Sequence, residues 1–400
     1  MSQPGAGEPR QRVAAVVWWI LLAVLAVFGC IRALRGHCID FEVYHTATHR
    51  FLAGTPLYRA ADGAMPFKYA PPVAWLMLPW TVLPAPIGAA LWNITSVAVL
   101  ARSARWLRQR ATIWRSPGTL RWFAVLSTLA LGHSAALVVY YGQVDLVLLG
   151  LVLAAWLAPG RGPGALLAGA ALAAAVLLKP PAGIVGVGLL AAGRWRVVAA
   201  GLALYGASWG PVLVRYGVAG SGELLLAWRE LLAGTTPPWA LGHNPQGLPT
   251  LLLEWVARGE PPAQQSIVIA QGLAIALFLV AVVVARPRGV AALAAYTLGA
   301  ALLSPLAWRA NYVLAWPAVF WALVWGATKA RWLGAAVVAV TFAVGLAFAE
   351  GFWAAAMFKQ AMAGLRPFAW SFIAVLAVLL YYGRGPTGSS PEPVTPTLGR

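Results

Sequence analysis

The stretch RSARWLRQRATIWRSPGTLR, Arg102 to Arg121, holds six arginines and no acid. Apolar runs flank it, 85–101 before and 121–140 after. Apolar runs of near-span length read as membrane-crossing helices. Short loops rich in Lys and Arg stay on the cytoplasmic side. This stretch therefore fixes one loop to the cytoplasm, and the rest of the chain can be threaded from it in both directions.

Toward the N-terminus, Arg10 and Arg12 lie on the same side. The run Val13–Leu34 leads out, so one span must return before Arg102. The run 85–101 does so provided that Pro71–Pro84 does not cross. That stretch has fourteen residues, with prolines at 71, 72, 79 and 84. Its length suits an interfacial or re-entrant helix. Toward the C-terminus, runs follow at 143–158, 164–180, 182–193, 195–215, 266–285, 289–305, 310–327, 332–349 and 367–383, of which 182–193 is short for a span. With twelve runs in all, Arg161, Arg194, Arg196, Arg286, Arg288, Lys329, Arg331 and Arg384 all fall inside. Cytoplasmic segments then carry seventeen basic residues and two acids, and outer segments twelve and nine.

Composition agrees. Of 400 residues, 61% are hydrophobic and 10% charged, with mean hydropathy +0.75. A soluble domain is roughly half apolar and about a quarter charged, so a soluble enzyme and a disordered chain are excluded. An outer-membrane barrel would alternate every residue. The net charge of +18 is mostly the inside-positive bias, so no nucleic-acid partner is implied. Cys30 and Cys38 fit no zinc pattern and read as free thiols. The first run is too long for a signal-peptide core and lacks a small-residue cleavage site. The expected fold is an all-α polytopic membrane protein of about twelve transmembrane helices, with interfacial helices in its long outer loops. Residues 1–383 form one domain. The tail, 384–400, is rich in Pro, Gly, Ser and Thr and is expected to be disordered.

Two outer segments are long, 35–84 and 216–265, and hold seven of the eleven acids. Long ordered loops usually carry function. Asp40 follows the first span. Asp40 and Glu42 point the same way if the backbone is extended. From Asp40 the pattern is an amphipathic helix ending at Gly54, with Phe41, Tyr44, Phe51 and Leu52 on its apolar side. Asp40 has two readings, a general base or the N-cap of that helix. His45 and His49 share a helix face and read as solvated interfacial groups, not metal ligands. Lys179 closes an apolar helix, as a phosphate contact or a snorkelling lysine. Gln143 and Asp145 sit at a tight outer turn, functional or capping. Asn244 and Gln246 suit sugar hydroxyls or ordinary turn chemistry. Trp239 and Trp308 are candidates to stack on a sugar.

Three blocks in order, Asp40-Phe41-x-Val43-Tyr44, Gly54-x-Pro56-Leu57-Tyr58 and Phe67-Lys68-Tyr69-x-Pro71-Pro72, resemble the first outer loop of glycosyltransferase family 87. Tyr141-Gly142-Gln143-Val144-Asp145, Leu178-Lys179-Pro180, Asn244-Pro245-Gln246-Gly247-Leu248 and Ser304-Pro305-Leu306-Ala307-Trp308 extend the resemblance over about 13–330. The resemblance implies a GT-C-type bundle in a bacterial cytoplasmic membrane, with both termini cytoplasmic and the active site facing outward. It implies an inverting transferase that moves mannose from a polyprenyl-phosphate donor to a lipid or glycan acceptor, with no metal or cofactor. Asp40 would be the base. Lys68, Lys179 and Arg309 would hold the phosphate, because cations offset its developing charge. Glu42, Tyr44, Tyr69, Gln143, Asp145, Asn244, Gln246 and Trp308 would line the substrate site. Family members commonly carry a histidine pair after the Trp; here Arg309, Ala310 and Asn311 stand instead. Two rival readings are a transporter or lipid flippase, and a non-catalytic subunit of a glycan-assembly complex. The simplest oligomeric state is a monomer.

Overall fold

The computed structural model describes residues 8–63, 65–112, 115–257, 262–329, 331–351 and 353–383. The tail expected to be disordered, 384–400, lies outside the described residues. Among the described residues all regular structure is helical. The first long segment, 35–84, separates α1 (Glu8–Leu34) from α5 (Ala85–Ala111), and carries α2 (Ile39–Ala53), α3 (Pro71–Leu76) and α4 (Leu78–Thr81). Then follow α6 (Pro117–Ala130), α7 (Gly132–Tyr141), α8 (Asp145–Leu157), α9 (Pro163–Leu178), α10 (Gly183–Ala191), α11 (Trp195–Ala207) and α12 (Gly210–Thr235). The second long segment, 216–265, adds α13 (Pro237–Ala240) and α14 (Leu248–Ala257). The chain closes with α15 (Gln264–Ala285), α16 (Gly289–Leu302), α17 (Trp316–Lys329), α18 (Arg331–Ala347), α19 (Ala355–Leu365) and α20 (Pro367–Tyr382).

The apolar face of this bundle points outward as well as inward. On α1, Val16, Trp19, Ile20, Val24 and Val27 are each more than half exposed, as are Val268, Leu273, Val280, Val283 and Val284 on α15. Moving such a surface from water into lipid gains about 25 cal/mol for each Å², so the chain is a membrane protein. At the centre, α16 is buried on every side from Ala291 to Leu302. Its sequence, GVAALAAYTLGAAL, keeps neighbours close, as small residues do between membrane helices. Gly299 shows the tolerance: a Cβ there would stand 2.6 Å from the ring of Phe278.

The apolar runs become helices at the expected places, but several are short. Four helical segments are long and apolar enough to cross a membrane among the described residues, or six if each bent pair is one span. The run 121–140 breaks at Leu131, where α6 and α7 meet at 63°. The run 195–215 breaks between α11 and α12, at 54°. The run 310–327 begins as a 3-10 turn, Arg309–Ala315, before α17 starts. The remaining runs give α8, α9, α10, α16 and α18, each shorter than a regular span of about 20 residues. Pro71–Pro84 forms the two short helices α3 and α4, in keeping with a segment that does not cross.

The two ends of the bundle differ. At the end holding Arg102–Arg121, guanidinium groups cap helix carbonyls. Arg110 donates to the Leu157 carbonyl, and Arg194 to those of Ala155, Trp156 and Ala158. At the opposite end the two long segments pack onto the helix ends. There α2 closes at Gly54 (φ 68°), whose N–H bonds to the Phe51 carbonyl at 3.1 Å. Both cysteines are free.

Candidate functional site

A cavity of about 520 Å³ opens at that second end. Asp40, Tyr44, Lys68, Tyr69, Gln143, Lys179, Asn244, Trp308 and Arg309 are among its lining residues. Residues more than 250 positions apart thus meet because the helix ends converge there. Trp228, Trp239 and Tyr141 complete the aromatic part of the wall. On α15, Val268 lines the cavity and is also 57% exposed on the outer face of the helix.

Local structure explains how Asp40 reaches this place. The N-cap of α2 is Cys38, so Asp40 falls in the first turn and is not the cap. The capping role is therefore not realised. The backbone is already helical at Ile39, so Glu42 turns to solvent, away from the cavity. The shared direction expected of an extended Asp40–Glu42 pair is overturned, because i and i+2 diverge on a helix. Leu52 is 46% exposed, contrary to its expected place on the apolar side. Phe41, Tyr44 and Phe51 are buried as expected. His45 and His49 lie one turn apart, with His45 Nε2 at 3.1 Å from the Leu83 carbonyl.

The turn 141–145 is clamped from beneath. Gly142 adopts φ 73°, and a Cβ there would sit 2.9 Å from Phe41 Cβ. Glycine thus permits both the left-handed turn and the close approach of α2. Buried Trp92 donates its indole N–H to the carbonyls of Gly142 (3.0 Å) and Gln143 (3.2 Å). Asn93 Nδ2 donates to the carbonyls of Gly29 and Val139. Both side chains lie on α5, which therefore sets the height of Gln143 beside Asp40.

Electrostatics at Asp40 follow from this packing. Burial raises the carboxyl from its ordinary 3.8 to about 6. The Gln143 side chain and the Lys179 charge oppose that rise, and Asp145 adds to it. A carboxylate poised near neutral pH suits proton transfer. Asp145 itself does not line the cavity. It is fully buried behind Lys179, whose Nζ stands 2.7 Å from its Oδ1.

The cations are held differently. Lys68 is half-buried, and its Nζ donates to the Thr235 carbonyl at 3.4 Å. Burial lowers its pKa. Among the described residues no carboxylate pairs with it. Its backbone carbonyl accepts the indole N–H of Trp228 at 2.9 Å. Tyr69 follows, with its hydroxyl 2.8 Å from that of Tyr44. Arg309 is 2% exposed and meets Glu350 at 2.5 Å and Asn244 Oδ1 at 3.3 Å. Its guanidinium carbon lies 4.9 Å from the Phe358 ring centre.

Gln246 departs from its expected role. It is fully buried, lies outside the cavity lining, and donates to the carbonyls of His243 and Met362. Its own backbone N–H bonds to the Ala307 carbonyl at 2.8 Å, so it ties the 244–247 loop to the segment carrying Trp308. Arg366 holds the same loop, donating to the carbonyls of Leu241, Gly242 and Pro245 and pairing with Glu254 at 2.7 Å. Sequence reasoning did not single out Trp92, Trp228, Glu350 or Arg366. Glu350 had a usable signal, a lone acid just past the apolar run 332–349.

Several buried polar atoms in and behind this wall have no protein partner: Gln143 Oε1, Asp145 Oδ2, Trp308 Nε1 and Arg309 Nε. Leaving such a group unmet costs about 1–3 kcal/mol. A wall that combines them with cations and aromatic faces is chemically suited to a polar, anionic ligand. A bundle of apolar helices with such a cavity at one end falls in the class of integral-membrane proteins with a polar ligand site. The family model for glycosyltransferase family 87 matches residues 67–308, and the chain belongs to that family and is a glycosyltransferase. The matched segment includes Lys68, Gln143, Lys179, Asn244 and Trp308; Asp40 and Arg309 lie outside it. No curated protein and no solved structure matches the chain.

Proposed function

We propose that this glycosyltransferase is inverting and uses a polyprenyl-phosphate sugar, mannose being the leading candidate. Its acceptor is a lipid or glycan at the outer face of the bacterial cytoplasmic membrane. The observation that carries the reading is Asp40, a carboxylate held near pH 6 in the same cavity wall as Lys68 and Lys179. Asp40 Oδ takes the proton of the acceptor hydroxyl as that oxygen bonds to the anomeric carbon. The bond from that carbon to the phosphate oxygen breaks, and the polyprenyl phosphate leaves with its electron pair. Lys68 meets the phosphate directly. Lys179 contributes field from its pair with Asp145, and Arg309 from its pair with Glu350.

In this reading Tyr69, Gln143, Asn244 and Trp308 surround the sugar and acceptor. The helices cross about twelve times, the shorter ones within a bundle that shields their ends. The arginine-rich end faces the cytoplasm. The protein acts as a monomer and requires no metal. The test is sugar transfer in purified membranes with radiolabelled polyprenyl-phosphate mannose, comparing the natural chain with Asp40→Asn. Transfer by the first and loss in a folded variant supports donor class and base together. Full transfer by Asp40→Asn would reject the base assignment.

A further inference from the structure

A second cavity lies at the other end of the bundle, where α1 packs against α5 and α6. Its volume is about 510 Å³, and Trp18, Trp19, Arg102, Arg105, Arg108 and Arg121 line it. The inside-positive bias explains why arginines stand at this end. It does not explain why four of them border one cleft.

Other arginines at the same end show the alternative. Arg110 and Arg194 spend their N–H groups on helix carbonyls. In the cleft, Arg121 reaches one carbonyl, that of Gln11, at 3.4 Å. Arg102 lies over the Trp106 ring at 4.8 Å. Arg108 Nε is buried with no partner. Among the described residues no carboxylate pairs with any of the four. Like charges gathered without a counter-ion repel, and an anion between them converts that repulsion into attraction.

We propose that this cleft binds the phosphate of an anionic membrane lipid. One lining residue of the cleft, Trp19 on α1, is also 62% exposed, and Val16 and Ile20 of the same helix are more than half exposed. This apolar surface beside the cleft would give an acyl chain a track. Basic pockets between membrane helices on the cytoplasmic side bind lipid headgroups by this combination. A soluble phosphate would use the cations and leave the track unused. The site is separate from the Asp40 cavity and does not depend on the proposed transfer reaction.

The test is thermal unfolding of the full-length protein in detergent, titrated with dioleoyl phosphatidylglycerol, with dioleoyl phosphatidylcholine and with inorganic phosphate. Phosphatidylglycerol should raise Tm saturably, and the other two should not. Arg105→Gln with Arg108→Gln should move the midpoint to about 30-fold higher lipid fraction, since each arginine near a lipid surface contributes about fivefold. Arg102→Gln with Arg105→Gln alters only exposed side chains, keeps the fold intact, and should shift the midpoint the same way. Arg161→Gln with Arg196→Gln removes the same charge outside the cleft and should leave the midpoint in place. Equal response to the two lipids, or an equal loss in the Arg161/Arg196 variant, would overturn the site. A full saturable rise with inorganic phosphate alone would overturn the lipid as its source.

Discussion

Lys179 Nζ stands 2.7 Å from Asp145 Oδ1, and the Asp145 carboxylate is fully buried. This pair sits directly behind the Asp40 wall of the cavity. Breaking a buried pair strands one charge, which costs about 3–5 kcal/mol. Lys179→Met alone should therefore lower Tm markedly. Lys179→Met with Asp145→Leu should recover most of the loss while sugar transfer stays low. A double-mutant cycle read by thermal unfolding and by transfer checks both parts, and additive losses would sink the pairing.

With Asp40 as the proposed base, activity should depend on pH. Protonation below about 6 would remove that base. Transfer should fall as pH drops through that value, with kcat/KM declining about tenfold per pH unit on the acid limb. A pH profile of transfer from pH 4.5 to 8 measures it. Asp40→Asn should lower transfer by about 10²–10⁴-fold, the usual worth of a positioned base, while donor binding persists.

The same carboxyl sets a pH dependence of stability. Its folded value, about 6, lies above the ordinary 3.8. The folded state therefore binds this proton more tightly than the unfolded chain does. The resulting stability is full below about 3.8 and is lost as pH rises through about 6, because the buried group must then ionise. Asp40→Asn cannot ionise. Its Tm relative to the natural chain should be higher at pH 8 than at pH 5. The reverse order would show that Lys179 stabilises the charge more than burial penalises it.

Among the described residues Lys68 is the cavity cation that pairs with no carboxylate, so its removal strands no described acid. Lys68→Ala should leave Tm within about 1 kcal/mol of folding stability, as for partly exposed substitutions. Donor affinity should fall by about 10–100-fold, the worth of one charge-assisted bond of 1.5–3 kcal/mol. A KM increase in membranes, with folding unchanged, is the expected readout. Unchanged donor affinity would remove Lys68 from the site.

Gly142→Ala probes the turn beneath Asp40. Its φ of 73° costs a non-glycine residue about 1–2 kcal/mol. The new Cβ would also press on Phe41 Cβ at 2.9 Å. Transfer should fall because the head of α2 moves, and thermal unfolding should fall with it. Trp92→Phe, which removes the indole donor under the same turn, should cost about 1–2 kcal/mol and shift activity in the same direction.

The sequence made much of this legible, and its failures have physical causes. Hydrophobic runs marked where the helices form, and segment length marked the two long stretches 35–84 and 216–265 that carry short helices. Run length did not reveal the bend at Leu131 or the 3-10 start at Arg309, because apolar composition is the same in straight and broken helices. At the site, residue type raised Asp40 and Lys179 as candidates, the family resemblance added Lys68 and Arg309, and all four line one cavity. It misplaced Glu42 because helix phase, not chemistry, decides which way a side chain points. It misread Gln246 because a turn polar group looks alike whether it faces substrate or a buried carbonyl. Glu350 was passed over because its partner, Arg309, is 41 positions away.

Val268 belongs at once to the cavity lining and to the lipid-facing surface of α15. With the proposed isoprenoid donor, a wall shared in this way would make encounter a two-dimensional process. The controlling variable is then the donor's mole fraction in the bilayer, not its molarity in the suspension. Adding inert phospholipid at fixed donor would slow turnover by surface dilution, whereas adding buffer would not.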